Sequence, residues 1–223
     1  MARRVEGFSR QLLNSWQAEA ALSPCGAYRW LLHRPIPSTD QISNSKQRRV
    51  LLFVGLNPSK ADGHRDDPTL RRLQGFAHHW GYHHLVVLNL FARISPSPSL
   101  LCRCAEPIGT ENDLILRNWF QQWAQQPTWD LWLGWGVGGR FRQRDEAVLK
   151  MLNDISDQRG VLPPPFVTGL TKAGYPRHPL YLPRDVERVA WAVRFLDEPH
   201  SAPVSDLPSP VWRAERSGAF HVP

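Results

Sequence analysis

Three polar side chains, Asn57, Asn89 and His178, stand at the ends of apolar segments, where a folded chain can bring them to one place. They belong to a set of short pieces: Val54-Gly55-Leu56-Asn57-Pro58-Ser59, Val87-Leu88-Asn89-Leu90, Leu133-Gly134-Trp135-Gly136 and Arg177-His178-Pro179-Leu180. The first three close buried-type strands with Gly or Asn; the fourth follows the apolar segment Phe166-Val167-Thr168-Gly169-Leu170. In an open α/β sheet, ligands bind in the crevice beyond the carboxyl ends of the strands. The pieces are therefore expected to converge on one pocket.

Each piece has its own chemistry. Gly55 permits a turn that a Cβ would resist, and Pro58 drives Asn57 toward an extended backbone. The product is a stiff loop able to hold a water or polarise an oxyanion, or else an ordinary Asn-Pro turn. Asn89 interrupts the apolar run Leu85 to Phe91. Its amide has donors and an acceptor, so it can match a heterocycle edge or satisfy neighbouring backbone. Gly134 to Gly139 resembles a phosphate-cradling turn ahead of a helix, but lacks the Lys-Ser/Thr of a P-loop and the spacing of a dinucleotide fingerprint. Close helix–sheet packing explains it as well. His178 is presented from a proline-stiffened loop, either as a hydrogen-bond donor or as a solvent-facing residue.

Other clusters invite a metal reading that their spacing does not support. His78 and His79 do not share a helix face, and they suit a helix C-terminus. Asp62, Asp66 and Asp67 beside Arg65 are equally explained by capping and pairing. Three cysteines, Cys25, Cys102 and Cys104, are too few for a disulfide framework or an iron–sulfur cluster. No metal and no cofactor is expected.

The elements that position these residues alternate between strand and helix. Residues 5–20 carry Val5, Phe8, Leu12 and Trp16 at helical spacing. Strands are expected at Ala27 to Arg34, Arg49 to Val54, Leu85 to Leu90, Trp129 to Leu133 and Phe166 to Leu170. Asp67 and Pro68 open a helix as N-cap and N1, with Leu70, Leu73, Phe76, Ala77 and Trp80 inward and Gly81 at its end. Thr110 and Asp113 form an approximate capping box for a helix to about Gln125. Further helices are expected over Arg142 to Asn153 and Arg184 to Leu196. The pattern predicts an α/β three-layer sandwich around a mostly parallel four-stranded sheet. It divides the chain into an N-terminal helical extension (1–26), an α/β domain (27–196) and a Pro-rich tail (197–223).

The chain has 223 residues, ten of them Trp, and carries a formal net charge of +7. That size supports a substantial core, and the charge leans toward a polyanionic partner. No apolar run approaches a membrane span, and the basic N-terminus lacks the apolar region of a secretory signal. A cytoplasmic protein without membrane association is expected. The oligomeric state stays open, with a monomer favoured.

The order Gly-x-Asn-Pro, strand-end Asn, Trp-Gly turn, His-Pro resembles the uracil-DNA glycosylase superfamily. A more specific resemblance covers about residues 27–190. It rests on Gly55-Leu56-Asn57-Pro58-Ser59-Lys60-Ala61-Asp62, Arg65-Asp66-Asp67-Pro68-Thr69, and Gly169-Leu170-Thr171-Lys172 to Arg177-His178-Pro179-Leu180-Tyr181. There the chain is similar to an uncharacterised bacterial domain family of unknown function. The superfamily resemblance implies its fold and an N-glycosidic hydrolase acting on a flipped or single-stranded base in nucleic acid, DNA foremost. A non-catalytic nucleic-acid or nucleotide-binding module and a hydrolase of a nucleoside-like metabolite are the alternatives. By resemblance, Asn57 positions water and Asn89 reads the base. His178, with the backbone at Gly55 and Leu56, stabilises the departing base. Ser59, Asp62, Gly134, Gly136 and Arg177 complete the substrate site, and Arg65, Arg71 and Arg72 meet phosphates. Asn57 stands where the fastest uracil enzymes carry Asp, and Ser59 where they carry a Tyr that excludes a 5-methyl group.

Overall fold

A computed structural model describes residues 17–37, 48–59 and 66–191. Its strands are β1 (Glu19–Leu22), β2 (Arg29–Pro35), β3 (Val50–Gly55), β4 (His84–Asn89), β5 (Trp129–Leu133), β6 (Phe166–Val167) and β7 (Val189–Ala190). The helices are α1 (Pro68–His79), a single turn α2 (Pro98–Leu101), α3 (Asn112–Gln125) and α4 (Arg144–Ser156). The strands form one sheet in the order β1-β2-β4-β3-β5-β6-β7. The four adjacent strands β4, β3, β5 and β6 are parallel, as the alternation predicts. The sheet is wider than its parallel four: the expected strand β2 and the unexpected β1 extend one edge antiparallel, and β7 the other. Edge strands this short, four and two residues in β1 and β7, leave little periodicity in a sequence.

Every residue of β3 and β4 is buried. Alternation sends Val50, Leu52 and Val54 to one face, with Val86 and Leu88 beside them. There they meet Leu116, Trp119, Phe120 and Trp123 of α3 and Val148 and Leu152 of α4. Leu51, Phe53, Leu85 and Val87 face the other way, onto Leu70, Leu73, Phe76 and Ala77 of α1. Each such side chain removed from water stabilises the fold by about 1.5–3 kcal/mol. Helices on both faces make the three layers. Gly55 pairs in register with Asn89, and the same alternation turns Asn89 toward the α1 face.

Asp67 caps α1 as expected, accepting a hydrogen bond from Leu70 N at 2.7 Å. Gly81, at φ 72°, lets the chain leave the helix. Several expectations give way to tertiary contacts. The capping box of α3 does not form: Thr110 donates to Glu111, and Asp113 pairs with Arg144. The helix after the glycine-rich turn starts at Arg144 because Val137–Gln143 coils as 3₁₀ turns first. No helix covers residues 184–191. Val189 and Ala190 pair with β6 instead, and Arg188 spans the Tyr82 hydroxyl and the Trp80 and Phe166 rings. The helical spacing of residues 5–20 ends in strand β1 from Glu19. Residues 5–16, Asp62, Arg65, residues 38–47 and the tail 197–223 lie outside the described residues.

Candidate functional site

The sheet tips are stitched together by backbone hydrogen bonds. Leu90 N donates to Gly55 O and Phe91 N to Leu56 O, each at 2.9 Å, so β4 runs on beside the loop after β3. Gly134 N donates to Val54 O at 3.0 Å, and Gly136 N to Pro176 O at 2.9 Å. A Cβ on Gly136 would lie 3.8 Å from His178 Cβ, and one on Gly134 3.5 Å from Arg177 O. The four pieces, spread over more than half the chain, thus meet at the carboxyl end of the parallel strands.

Asn89 is 3% exposed. Its backbone carbonyl accepts from Asn112 Nδ2 at 3.1 Å, which fixes the strand end. Its side-chain Oδ1 comes within 3.1 Å of the point a Cβ on Gly55 would occupy. Its Nδ2 is buried and has no hydrogen-bond partner among the described residues. A donor left this way costs about 1–3 kcal/mol. Beneath it lies the ring of Phe53. A Cβ on Gly55 would come 3.0 Å from Phe53 Cε1, and one on Gly134 only 2.5 Å from Cε2. Both glycines therefore make room for this ring, an apolar floor under the Asn89 amide.

Asn57 is held otherwise. Its Nδ2 donates to the carbonyls of Pro58 at 2.8 Å and Ser95 at 2.9 Å, and Ser95 N returns a bond to Pro58 O. The amide nitrogen is thus the staple of the loop, and Oδ1 is the atom left to act, as an acceptor. Ser59 Oγ donates to the Asp67 carboxylate, which ties this loop to the start of α1.

His178 is half-buried. Its Nδ1 accepts from Leu180 N at 3.3 Å, which in a neutral ring places the proton on Nε2. Burial pushes its pKa below the usual histidine value, against the opposing pull of the Asp67 carboxylate. The ring is therefore neutral near pH 7 and carries an N–H donor. Arg72 donates to Leu182 O and lies 4.8 Å from the Phe76 ring centre. It docks the His178 loop onto α1. Arg71 is exposed and donates to Asp66 O at 2.6 Å. Arg177 is exposed; its N donates to Gly169 O at 3.0 Å.

The glycine-rich turn is a packing device. A Cβ on Gly138 would strike the Leu56 side chain at 2.6 Å, and one on Gly139 the Trp135 indole at 2.3 Å. Arg144, after the turn, points inside to Leu90 O and Asp113. Asn112 and Arg144, which grip the end of β4, carry no signal in the sequence because their partners lie far away along the chain. Among the described residues, no three His, Cys, Asp or Glu side chains are grouped to hold a metal ion. No helix among them is long and apolar enough to cross a membrane.

These features define a mixed α/β protein with a polar cluster at the carboxyl tips of a parallel sheet centre. The chain belongs to the family described as "Protein of unknown function (DUF1643)", whose model matches residues 29–180. Neither the curated proteins nor the solved structures contain a match.

Proposed function

We propose that the protein is an N-glycosidic hydrolase of the uracil-DNA glycosylase type, acting on a flipped or single-stranded base of a nucleic acid. The observation that carries this reading is the Nδ2 of Asn89 at a strand tip: Asn89 is 3% exposed, and its Nδ2 has no hydrogen-bond partner among the described residues. A donor of this kind is stabilised when a ligand supplies its acceptor. With Oδ1 as acceptor, the Asn89 amide complements a base edge that shows a carbonyl beside a ring N–H. Nε2–H of His178 donates to the oxygen on which negative charge develops as the C–N bond breaks. Oδ1 of Asn57 orients the water that attacks the sugar carbon. The net charge of +7 favours a polyanionic substrate. The resemblance to the glycosylase fold is supported by the placement of the motifs at the ends of β3, β4 and β5.

One observation favours a second reading, a nucleic-acid-binding module without catalysis. The Asn57 nitrogen is consumed by two loop carbonyls, and an amide is a poor general base. Incubation with uracil-, mismatch- and modified-base oligonucleotides, single- and double-stranded, separates the two. Abasic sites that disappear in His178→Ala support hydrolysis. Salt-dependent binding with no abasic site in any substrate supports the module.

A further inference from the structure

On the α3/α4 face of the sheet lies a pocket beside the loop after β3. It has a volume of about 580 Å³, and its floor includes Leu56, Leu101 and Phe141. That volume lies in the range of small-molecule sites, roughly 300–1,000 Å³. Leu56 and Phe141 pack on the α3/α4 side of the core and Leu101 belongs to it, whereas Asn89 faces α1. Arg140, Arg142 and Cys102 stand at the rim, all exposed. None of the described lining residues is acidic. An apolar floor under two guanidinium groups matches a ligand with a flat, weakly polar body and an anionic group. Arginine stacks on planar groups and also forks onto phosphate oxygens.

The wall carrying the arginines is built in an unfavourable backbone. Arg142 (φ 55°) and Gln143 (φ 54°) are consecutive left-handed residues, and neither is glycine. Such conformations are unfavourable for residues with a Cβ and concentrate at ligand sites. They reverse the chain so that Arg142 reaches the pocket rim while Arg144, two residues on, turns inward to Leu90 O at 2.8 Å. The wall is thereby fixed to the end of β4.

We infer that this pocket binds a nucleotide unit, its base against Leu56, Leu101 and Phe141 and its phosphate between Arg140 and Arg142. The unit is either a free mononucleotide or one residue of a strand. The site stands whether or not the protein hydrolyses a glycosidic bond, because its lining residues include neither Asn89 nor His178.

Cys102 reports on occupancy. In the full chain carrying Cys25→Ser and Cys104→Ser, the rate of N-ethylmaleimide labelling is measured with adenosine monophosphate, a ten-residue oligothymidylate, adenosine or inorganic phosphate. Labelling is expected to slow at least fivefold with the mononucleotide or the oligonucleotide, and less than twofold with adenosine or phosphate alone. The stronger of the two nucleotide probes identifies the source. Protection is expected to vanish in R140Q/R142Q and to persist in N89A. No slowing by either nucleotide probe, equal slowing by phosphate alone, or protection that survives R140Q/R142Q in a folded protein overturns the inference.

Discussion

Gly55 and Asn89 face each other in register across β3 and β4, and the Asn89 Oδ1 lies 3.1 Å from where a Gly55 Cβ would sit. The same Cβ would meet the Phe53 ring at 3.0 Å. Neither neighbour has slack, since Phe53 is 2% exposed and Asn89 3%. Gly55→Ala is therefore expected to displace the Asn89 amide, weaken ligand binding about tenfold or more and cost about 1–3 kcal/mol of stability. Denaturant unfolding and oligonucleotide binding measured on one preparation check both effects.

Asn89 itself separates stability from function. Its Nδ2 has no partner among the described residues, so an apolar side chain of similar volume removes a burial penalty. Asn89→Leu is expected to be as stable as the parent or more stable, by about 1 kcal/mol, while losing base recognition. A clear drop in stability would mean that the amide is a structural bond.

Asn57→Asp tests whether the proposed site needs an amide at this position. The side-chain nitrogen donates to Pro58 O and Ser95 O; a carboxylate would present oxygen to two carbonyls. The substitution is expected to cost about 2–4 kcal/mol and to lower activity, despite the gain of a better base. Thermal unfolding of the variant across pH 4 to 8 checks this. The loss should shrink at low pH, where the new carboxyl is protonated and can donate.

Much of this was legible beforehand, and the misses have a common cause. The parallel centre showed in continuous apolar runs, since strands buried on both faces need no polar alternation. The α1 cap showed because Asp67 and Pro68 act on neighbours within one turn. The juxtaposition of Gly55, Asn89, Gly136 and His178 followed from the rule that strand tips gather ligands. What failed depended on distant partners. Asp113 reads as a capping residue but pairs with Arg144. Arg72 reads as a surface cation but holds Leu182 O. Residues 184–191 read as a helix but pair with β6 and Pro165, through Trp191 N at 2.7 Å.

The buried pair His33 and His84 sets an acid limit on stability. His33 Nε2 and His84 Nδ1 are 3.2 Å apart, and burial pushes their pKa values down to about 4 and about 3. Both lie below the unfolded value of about 6.5, so the unfolded chain binds more protons between them. Stability is fully present above pH 6.5 and is lost as pH falls toward 4. At pH 5 the loss from His33 alone is about 2 kcal/mol. Urea unfolding at pH 7.5 and pH 5 measures it; a midpoint unchanged between them would contradict the neutral pair.

Arg159 is a second structural dependency. Its guanidinium donates to the carbonyls of Trp123 and Gln126 near the end of α3, and to Trp129 and Pro163. Arg159→Met is expected to cost about 3 kcal/mol or more, and Arg159→Lys to recover little, because an ammonium cannot match the fork. Thermal unfolding of the three proteins checks the order.

The central claim is that the Asn89 amide reads a base, and one measurement reaches it directly. Fluorescence anisotropy compares binding of a short single strand with one carrying an abasic residue at a single position, for the parent and for Asn89→Ala. The parent is expected to prefer, by tenfold or more, a strand holding the recognised base at that position, drawn from a panel of normal and modified bases, and Asn89→Ala to lose that preference while keeping its salt dependence. A parent indifferent to every base in the panel, or a preference that survives in Asn89→Ala, would contradict the account.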